Sequence, residues 1–169
     1  KYRLVGSEMC IRDSSRSFGN MINDKYNLKQ ALANHVARAA EKLRSQDSLC
    51  GEICVFINTN RFRKNDLQYN NSAILPFDDL TDNTNIIMKK AFKILDRLYR
   101  PSYNYKKIGV ILLDLKQRKK DVKNRDYVIQ DNLFTYDKNY KNIADASDIC
   151  MEILDDINTK MGKMTLFYG

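Results

Sequence analysis

The chain has 169 residues, of which 43% are apolar, and its 29 Lys and Arg outnumber its 21 Asp and Glu to give a formal charge of +8. No stretch approaches the roughly 18 apolar residues of a membrane-spanning helix, so composition excludes an integral helical membrane protein and a disordered tail. It predicts one soluble domain with an appendage. Residues 15–130 hold 22 basic and 12 acidic residues, whereas residues 131–169 hold 4 and 7. A polyanion is therefore the expected partner of the basic part.

The cysteines and the single histidine form no recognisable metal site. There is no C-x-x-C pair, and His35 with Cys50 and Cys54 would need further ligands to hold zinc. Because no apolar leader segment opens the chain, we expect a cytoplasmic protein with reduced thiols.

Residues 1–14 differ from the rest of the chain. The stretch LVGSEMCIRD (residues 4–13) has no amphipathic period and resembles a translated sequencing adapter. We therefore expect residues 1–14 to be disordered and the folded domain to begin at Ser15.

The next part of the chain predicts a strand and then a helix. Residues 15–22 suit an edge strand, and apolar residues at helical spacing from Leu28 to Leu43 predict a helix with Asn27 as its N-cap. His35 lies beside the apolar stripe, where a packed histidine is expected rather than a catalytic one.

A hairpin is expected to follow this helix. Alternation over residues 53–58 predicts a strand with one buried face, and a shorter strand, residues 72–75, is expected to stop at Pro76.

A second helix and a fourth strand complete the pattern. The helix has apolar residues from Ile87 to Leu98 and ends before Pro101, and the β-branched run at residues 108–113 predicts a buried central strand. The order β-α-β-β-α-β predicts an α+β fold of the split βαβ type. Two helices would cover one face of a four-stranded sheet and leave the other face free to bind.

The sequence changes character after residue 116. Residues 117–135 are charged and aperiodic, as in a linker, and residues 136–169 are expected to form a small C-terminal domain. Its helix would expose Asp155 and Asp156 on a solvated face and end at Gly162, and residues 164–168 could form a short strand. Six apolar residues share one face of that helix: Ala146, Ile149, Cys150, Ile153, Leu154 and Ile157.

No catalytic set of residues is evident. The chain contains no P-loop, no G-x-S-x-G motif and no Cys-His pair at a suggestive spacing. Its predicted strands instead carry basic residues interleaved with Asn, Ser and Thr, which suits contacts to phosphates without base reading.

Five stretches together resemble the C-terminal half of UmuC-type Y-family DNA polymerases and occur in the same order. They are SRSFG (15–19), ARAAEKLR (37–44), VFINTNRF (55–62), NSA (71–73) and YRPSYNYKKIGVILLDL (99–115). The resemblance covers residues 15–169 and implies that residues 15–116 are the little-finger domain, which in this family lays its sheet on duplex DNA. It implies a parent that is an error-prone translesion polymerase of the SOS response. The palm of that parent, whose carboxylates bind two magnesium ions, would be missing from this sequence, so no catalysis and no cofactor are expected here.

The resemblance also implies the DNA-binding residues. Contacts along template phosphates fall on Ser15, Arg16, Ser17, Phe18 and Gly19, and a basic pair that grips a DNA backbone falls on Lys106 and Lys107. From strand position alone we add Asn58, Asn60 and Arg61. Where related polymerases carry a further basic residue in the last strand, this chain has Ile111.

A short peptide in the linker resembles the sliding-clamp-binding peptide of bacterial polymerases. It is QDNLF, which comprises Gln130, Asp131, Asn132, Leu133 and Phe134. The resemblance implies that the glutamine and the terminal Leu-Phe enter a pocket on the clamp; packing of the last two residues on the chain's own helix is the alternative. For the intact polymerase it also implies a UmuD-type accessory subunit and a recombinase filament as partners.

The tail and two rival functions complete the expectations. The tail resembles a C-terminal domain of unknown function that ends many UmuC-type chains, with matches at Asp155, Asn158, Gly162 and Thr165. One rival is a free-standing ferredoxin-like RNA-binding module, which would stack bases on aromatic residues of the central strands; here only Phe56 offers such a ring. The other is an adaptor that binds protein only, which would leave the positive charge of residues 15–130 unexplained.

Overall fold

Four antiparallel strands form one sheet, and two helices pack on one of its faces. A computed structural model describes residues 12–63, 65–118, 138–162 and 165–166. In chain order its elements are β1 (Arg12–Ile22), α1 (Lys25–Arg44), β2 (Ser48–Thr59), β3 (Asn70–Thr81), α2 (Thr84–Leu98), β4 (Tyr105–Gln117) and α3 (Lys138–Met161). The strand order is β1-β4-β2-β3, so α1 and α2 each connect two parallel strands that enclose one antiparallel strand. The predicted split βαβ arrangement is confirmed.

The core lies between the sheet and the two helices. Its fully buried side chains come from both helices and both central strands: Leu28, Leu32, Leu43, Ile53, Val55, Ile57, Ile87, Ile94, Leu95, Ile108, Val110 and Leu112. Burial of each such side chain contributes on the order of 1.5–3 kcal/mol before the entropy of ordering is deducted. The apolar faces predicted for both helices and the central position predicted for residues 108–113 are confirmed.

The N-cap predicted for α1 was wrong. The helix begins at Lys25, and its N-cap is Asp24, whose carboxylate accepts a hydrogen bond of 3.0 Å from the backbone N–H of Asn27. Both Asp24 and Asn27 are residue types that cap helices, so the sequence contained two start signals. The earlier one is used because the chain is already extended at Asp24.

The predicted end of β3 was also wrong. The strand continues past Pro76, which pairs with Glu52, and reaches Thr81 after an irregularity in the ladder. A proline removes one backbone donor, which a central strand cannot tolerate, but β3 is an edge strand with one side free of partners.

The first strand begins earlier than the sequence suggested. Arg12 and Ser14 pair with Leu112 and Val110 of β4, so the expectation of disorder is wrong for residues 12–14. The long central strand β4 offers ladder partners to these residues, and this explains the difference. Ser14 Oγ also lies 3.3 Å from Nδ1 of His35, which is packed and only 7% exposed, as predicted. Residues 1–11 lie outside the described part of the chain.

The C-terminal helix α3 ends where the sequence indicated. Gly162 follows it with a φ of 109°, a conformation that favours glycine. Beyond it, the side-chain amide of Asn158 donates to the carbonyl oxygen of Leu166 and accepts from its N–H, both at 2.9 Å. Thr165 and Leu166 form a bend, and the rest of the suggested strand is not described. None of the helices in the described ranges is long and apolar enough to cross a membrane.

Candidate nucleic-acid interface

The face of the sheet away from the helices is the candidate interface. Along β4, Ile108, Val110 and Leu112 are buried in the core under the helices. Because side chains alternate along a strand, the residues between them belong to the opposite face. The strand register places four rows there, which we call the open face: Ser17, Lys107, Asn58 and Asn70; Ser15, Gly109, Phe56 and Ser72; Ile111, Cys54 and Ile74; and Leu113, Glu52 and Pro76.

Side chains of the middle row of the open face pack closely around Gly109. A Cβ atom at position 109 would lie 2.4 Å from Cζ of Phe56 and 2.5 Å from Cβ of Ser15, so the ring of Phe56 fills the space over Gly109. Nζ of Lys107 lies 5.3 Å from the centroid of the same ring, which is within the range of cation–π attraction. The row therefore places an aromatic ring beside an ammonium group, and both side chains are partly exposed to solvent.

The two lysines at the start of β4 have different surroundings, although the sequence presents them as one basic pair. Lys107 lies on the open face, whereas the ladder between β2 and β4 skips Lys106. The ammonium group of Lys106 donates hydrogen bonds to the carbonyl oxygens of Phe18 and Gly19. Lys106 therefore holds the bulged part of β1, and Lys107 is the lysine placed to meet a ligand.

The five predicted contacts in β1 are divided between several environments. Ser15 and Ser17 lie on the open face, and alternation turns Arg16 to the other side of the strand, where it is exposed. Phe18 packs against the core, and Gly19 is exposed, with no other atom within 4 Å of a Cβ built on it. The two serines are therefore the members of this set that the sheet brings together with Lys107.

The residues added from the β2 end are also divided. Asn58 lies on the open face beside Lys107. The side-chain oxygen of Asn60 accepts a hydrogen bond of 3.1 Å from the backbone N–H of Phe62, so Asn60 shapes the β2–β3 loop. Arg61 is exposed, and its guanidinium carbon lies 5.0 Å from the centroid of the Phe62 ring.

Most of the basic residues that the structure describes lie away from the open face. The helices α1 and α2 carry nine basic residues and two acidic ones, and we call their solvent side the helix face. Some of these charges are paired: Lys25 lies 2.9 Å from Asp96, and Lys90 lies 3.3 Å from Asp78. The charge count of the sequence could not show this, because it does not say which side of a sheet a residue occupies.

The helix side also holds the C-terminal helix. Nε and Nη2 of Arg44 donate to the two carboxylate oxygens of Asp155 at 2.5 and 2.8 Å, and Nη1 donates to the carbonyl oxygen of Asp82 and to Oγ1 of Thr84, both at 2.9 Å. The solvated position predicted for Asp155 was therefore wrong, because the guanidinium group of Arg44 at the end of α1 meets this carboxylate in a two-point contact. We call this contact the tail latch.

The described side chains of α3, at residues 149–161, differ in exposure. Met151, one turn before Asp155, is buried, whereas Ile149 and Ile153 of the predicted apolar face are 55% and 54% exposed. Asp156 is exposed, as predicted, and pairs with Lys160 at 2.7 Å.

The buried thiols of Cys50 and Cys54 are uncharged. Burial raises the pKa of Cys50 to about 12, and its Sγ donates to the carbonyl oxygen of Thr81 at 3.1 Å. Burial also raises the pKa of Cys54, which lies on the open face. Both thiols therefore stay neutral at physiological pH, and Cys54 adds an uncharged group to the interface.

The predicted clamp-binding peptide, residues 130–134, lies in the interval between β4 and α3 for which the structure gives no description. Its assignment remains a prediction from the sequence.

Comparison with known proteins identifies the family. The description "impB/mucB/samB family C-terminal domain" matches residues 14–126. Over 155 residues, or 92% of the chain, the sequence is 37% identical to protein UmuC of Salmonella typhimurium and 32% identical to protein MucB of Salmonella typhimurium. The chain spans 34% of the length of each relative, which is about a third.

A solved structure shares the fold. It is described as the insertion ternary complex of Dbh DNA polymerase, and it matches 69% of this chain and 32% of its own with a TM-score of 0.54 and 15% sequence identity. Both the sequence match and the fold agree with the resemblance found in the five sequence stretches. The chain belongs to the impB/mucB/samB family, and residues 14–126 are its C-terminal domain.

Proposed function

We propose that this domain holds duplex DNA on its open face for a translesion DNA polymerase of the UmuC type, acting in SOS repair and mutagenesis. The observation that carries the proposal is the row formed by Ser15, Gly109 and Phe56, with Lys107 beside it. Ser15, Phe56 and Lys107 are each partly exposed, so a ligand can reach these side chains from solvent. Serine hydroxyls, asparagine amides and an ammonium group are donors that position phosphates without reading bases.

The chain's own part in the reaction is to grip DNA rather than to transfer nucleotides. Nucleotidyl transfer needs carboxylates that converge on metal ions. The chain has two pairs of adjacent aspartates, Asp78-Asp79 and Asp155-Asp156. One member of each pair contacts a basic side chain, since Asp155 holds Arg44 in the tail latch and Asp78 lies 3.3 Å from Lys90. We therefore place the catalytic carboxylates, and any magnesium, in other parts of the whole protein.

The test is binding to a primer–template duplex over a series of salt concentrations. We expect weak binding that is insensitive to base sequence, with log K falling by roughly 0.9 per log unit of salt for each phosphate contact. Primer extension with magnesium and all four deoxynucleotides should give background only. Binding that is independent of salt, tight binding to one base sequence or a marked preference for single-stranded RNA would contradict the proposal.

We also propose that QDNLF docks on the sliding clamp. A leucine and a phenylalanine that enter an apolar pocket can each contribute on the order of 1.5–3 kcal/mol before ordering costs. Leu133→Ala with Phe134→Ala should therefore abolish clamp binding and leave duplex binding and the melting temperature nearly unchanged. A large fall in melting temperature would mean that these side chains pack within the fold.

In the whole protein, docking on the clamp would raise the local concentration of the polymerase at the primer end. A UmuD-type accessory subunit and a recombinase filament are the further partners that we propose for it.

A further inference from the structure

The tip of the β2–β3 hairpin carries an aromatic side chain that the proposed function does not use. Phe62 is 80% exposed, four residues beyond Asn58 of the open face. A phenylalanine ring has a large apolar area and no polar group, so its exposure leaves that area in water. Such a side chain at the end of a binding face is a candidate contact for a ligand.

The described residues of the loop that carries Phe62 are joined by a network of hydrogen bonds. Nε2 of Gln68, whose amide has two N–H groups, lies within hydrogen-bond distance of the carbonyl oxygens of Asn60, Arg63 and Asp66, at 3.2, 2.8 and 3.1 Å. The backbone N–H of Arg63 donates to the carbonyl oxygen of Asn60 at 3.1 Å. Because these hydrogen bonds already join the described residues on both sides of Phe62, a ligand that meets its ring has less backbone to fix around it.

The neighbour of the ring indicates the kind of ligand. The guanidinium carbon of Arg61 lies 5.0 Å from the ring centroid and is exposed to solvent. A cation beside an exposed ring matches a nucleotide, because the cation meets the phosphate while the ring stacks on the base. Bases inside a duplex are covered by their neighbours, whereas an unpaired base has a free face.

We propose that Phe62 and Arg61 bind single-stranded DNA next to the duplex, with the Phe62 ring stacked on an unpaired base. This inference rests on the proposed function, since the duplex on the open face brings the single strand to the loop. It differs from that function in its chemistry, because it concerns base stacking rather than contacts to phosphates.

The experiment compares a blunt duplex with the same duplex carrying a single-stranded overhang, by fluorescence anisotropy. Phe62→Ala should lower affinity for the overhang substrate about 5-fold or more, as loss of a base–aromatic stack does, and change affinity for the blunt duplex less than about 2-fold. Phe62→Trp should retain the preference for the overhang. The matched control is Tyr26→Ala, which removes another exposed aromatic, 67% exposed on α1, and should change neither affinity.

A fluorescent base in the overhang gives a second readout. Stacking on Phe62 should quench 2-aminopurine when wild-type protein binds, and Phe62→Ala should abolish the quenching. Unchanged overhang affinity in Phe62→Ala, equal losses on both substrates, or a loss seen with single-stranded RNA alone would overturn the inference.

Failure of this inference can be distinguished from failure of the proposed function. If wild-type protein does not bind the blunt duplex, the open-face proposal is wrong. If it binds the duplex and Lys107→Ala weakens that binding, but Phe62→Ala has no effect on the overhang substrate, only the loop proposal is wrong.

Discussion

The open face and the helix face of this domain differ in how many charged side chains they carry. Apart from Arg44 in the tail latch, the helix face presents the basic side chains of α1 and α2, whereas the rows of the open face combine Lys107 and Glu52 with serine, asparagine and apolar side chains. A solvated charge is screened beyond about 8–10 Å at physiological salt, so the helix face can attract a polyanion but does not define where a strand lies. Net charge therefore predicts the class of partner, whereas our proposal of where that partner binds depends on which side chains the strand register groups on one face.

The largest expected effect comes from a substitution in the row of the open face that contains Gly109. Gly109→Ala should destabilise the domain by about 1–3 kcal/mol, because the added Cβ would lie 2.5 Å from Cβ of Ser15 and 2.4 Å from the Phe56 ring. The displaced ring should also weaken duplex binding. Urea unfolding and anisotropy measure the two effects.

Gly19→Ala is the matched control, since no atom lies within 4 Å of its added Cβ. It should be near neutral in both measurements. Equal stability and equal DNA affinity of the two variants would show that the Phe56 ring is not fixed over Gly109. That result would remove the structural argument that this row of the open face contacts DNA.

A smaller effect is expected on the helix side, at the tail latch. Asp155→Ala should release α3 and cost about 1–2 kcal/mol, because it removes two charge-assisted hydrogen bonds to Arg44 from a site that is only partly exposed. Amide hydrogen exchange in α3 should become faster. The matched control is Asp156→Ala at the next residue, which breaks only an exposed ion pair with Lys160. It should leave that exchange nearly unchanged. DNA affinity that fell with the latch would extend the interface to the helix side.

The two lysines of β4 sharpen the comparison within the sheet itself. Lys106→Ala should lower stability by about 1 kcal/mol, because it removes hydrogen bonds to the carbonyl oxygens of Phe18 and Gly19. Lys107→Ala should leave stability nearly unchanged and lower duplex affinity. Thermal unfolding and DNA binding of the two single variants measure this, and identical behaviour would mean that the lysines act as one pair after all.

Helices and strands that depend on a pattern repeated over many residues were predicted correctly from the sequence. The apolar spacing from Leu28 to Leu43 and the β-branched run at residues 108–113 predicted α1 and the central strand β4, because each depends on many side chains that bury the same face. Features that depend on one residue were predicted less well. Pro76 was expected to end β3, and only the position of that strand at the sheet edge shows why it does not.

The sequence named residues of the candidate site, but it could not show which of them lie together on one face of the sheet. The resemblance to polymerases implied Ser15, Ser17 and Lys107, which lie together on the open face. It also implied Lys106, whose ammonium group instead donates a hydrogen bond to a backbone carbonyl of β1. The sequence could not separate the two lysines, because the difference arises from an irregular ladder between β4 and β2. The tail latch joins residues 111 positions apart, and no local pattern connects them.

The central claim is that DNA lies on the open face, and the most direct test is a salt series on two matched single variants. Lys107→Ala removes a lysine of the open face, and Lys93→Ala removes an exposed lysine of the helix face. We expect Lys107→Ala to lower duplex affinity and make the slope of log K against log salt shallower by about 0.9, and Lys93→Ala to leave the slope nearly unchanged. Equal changes in both variants, or a larger change in Lys93→Ala, would contradict the account.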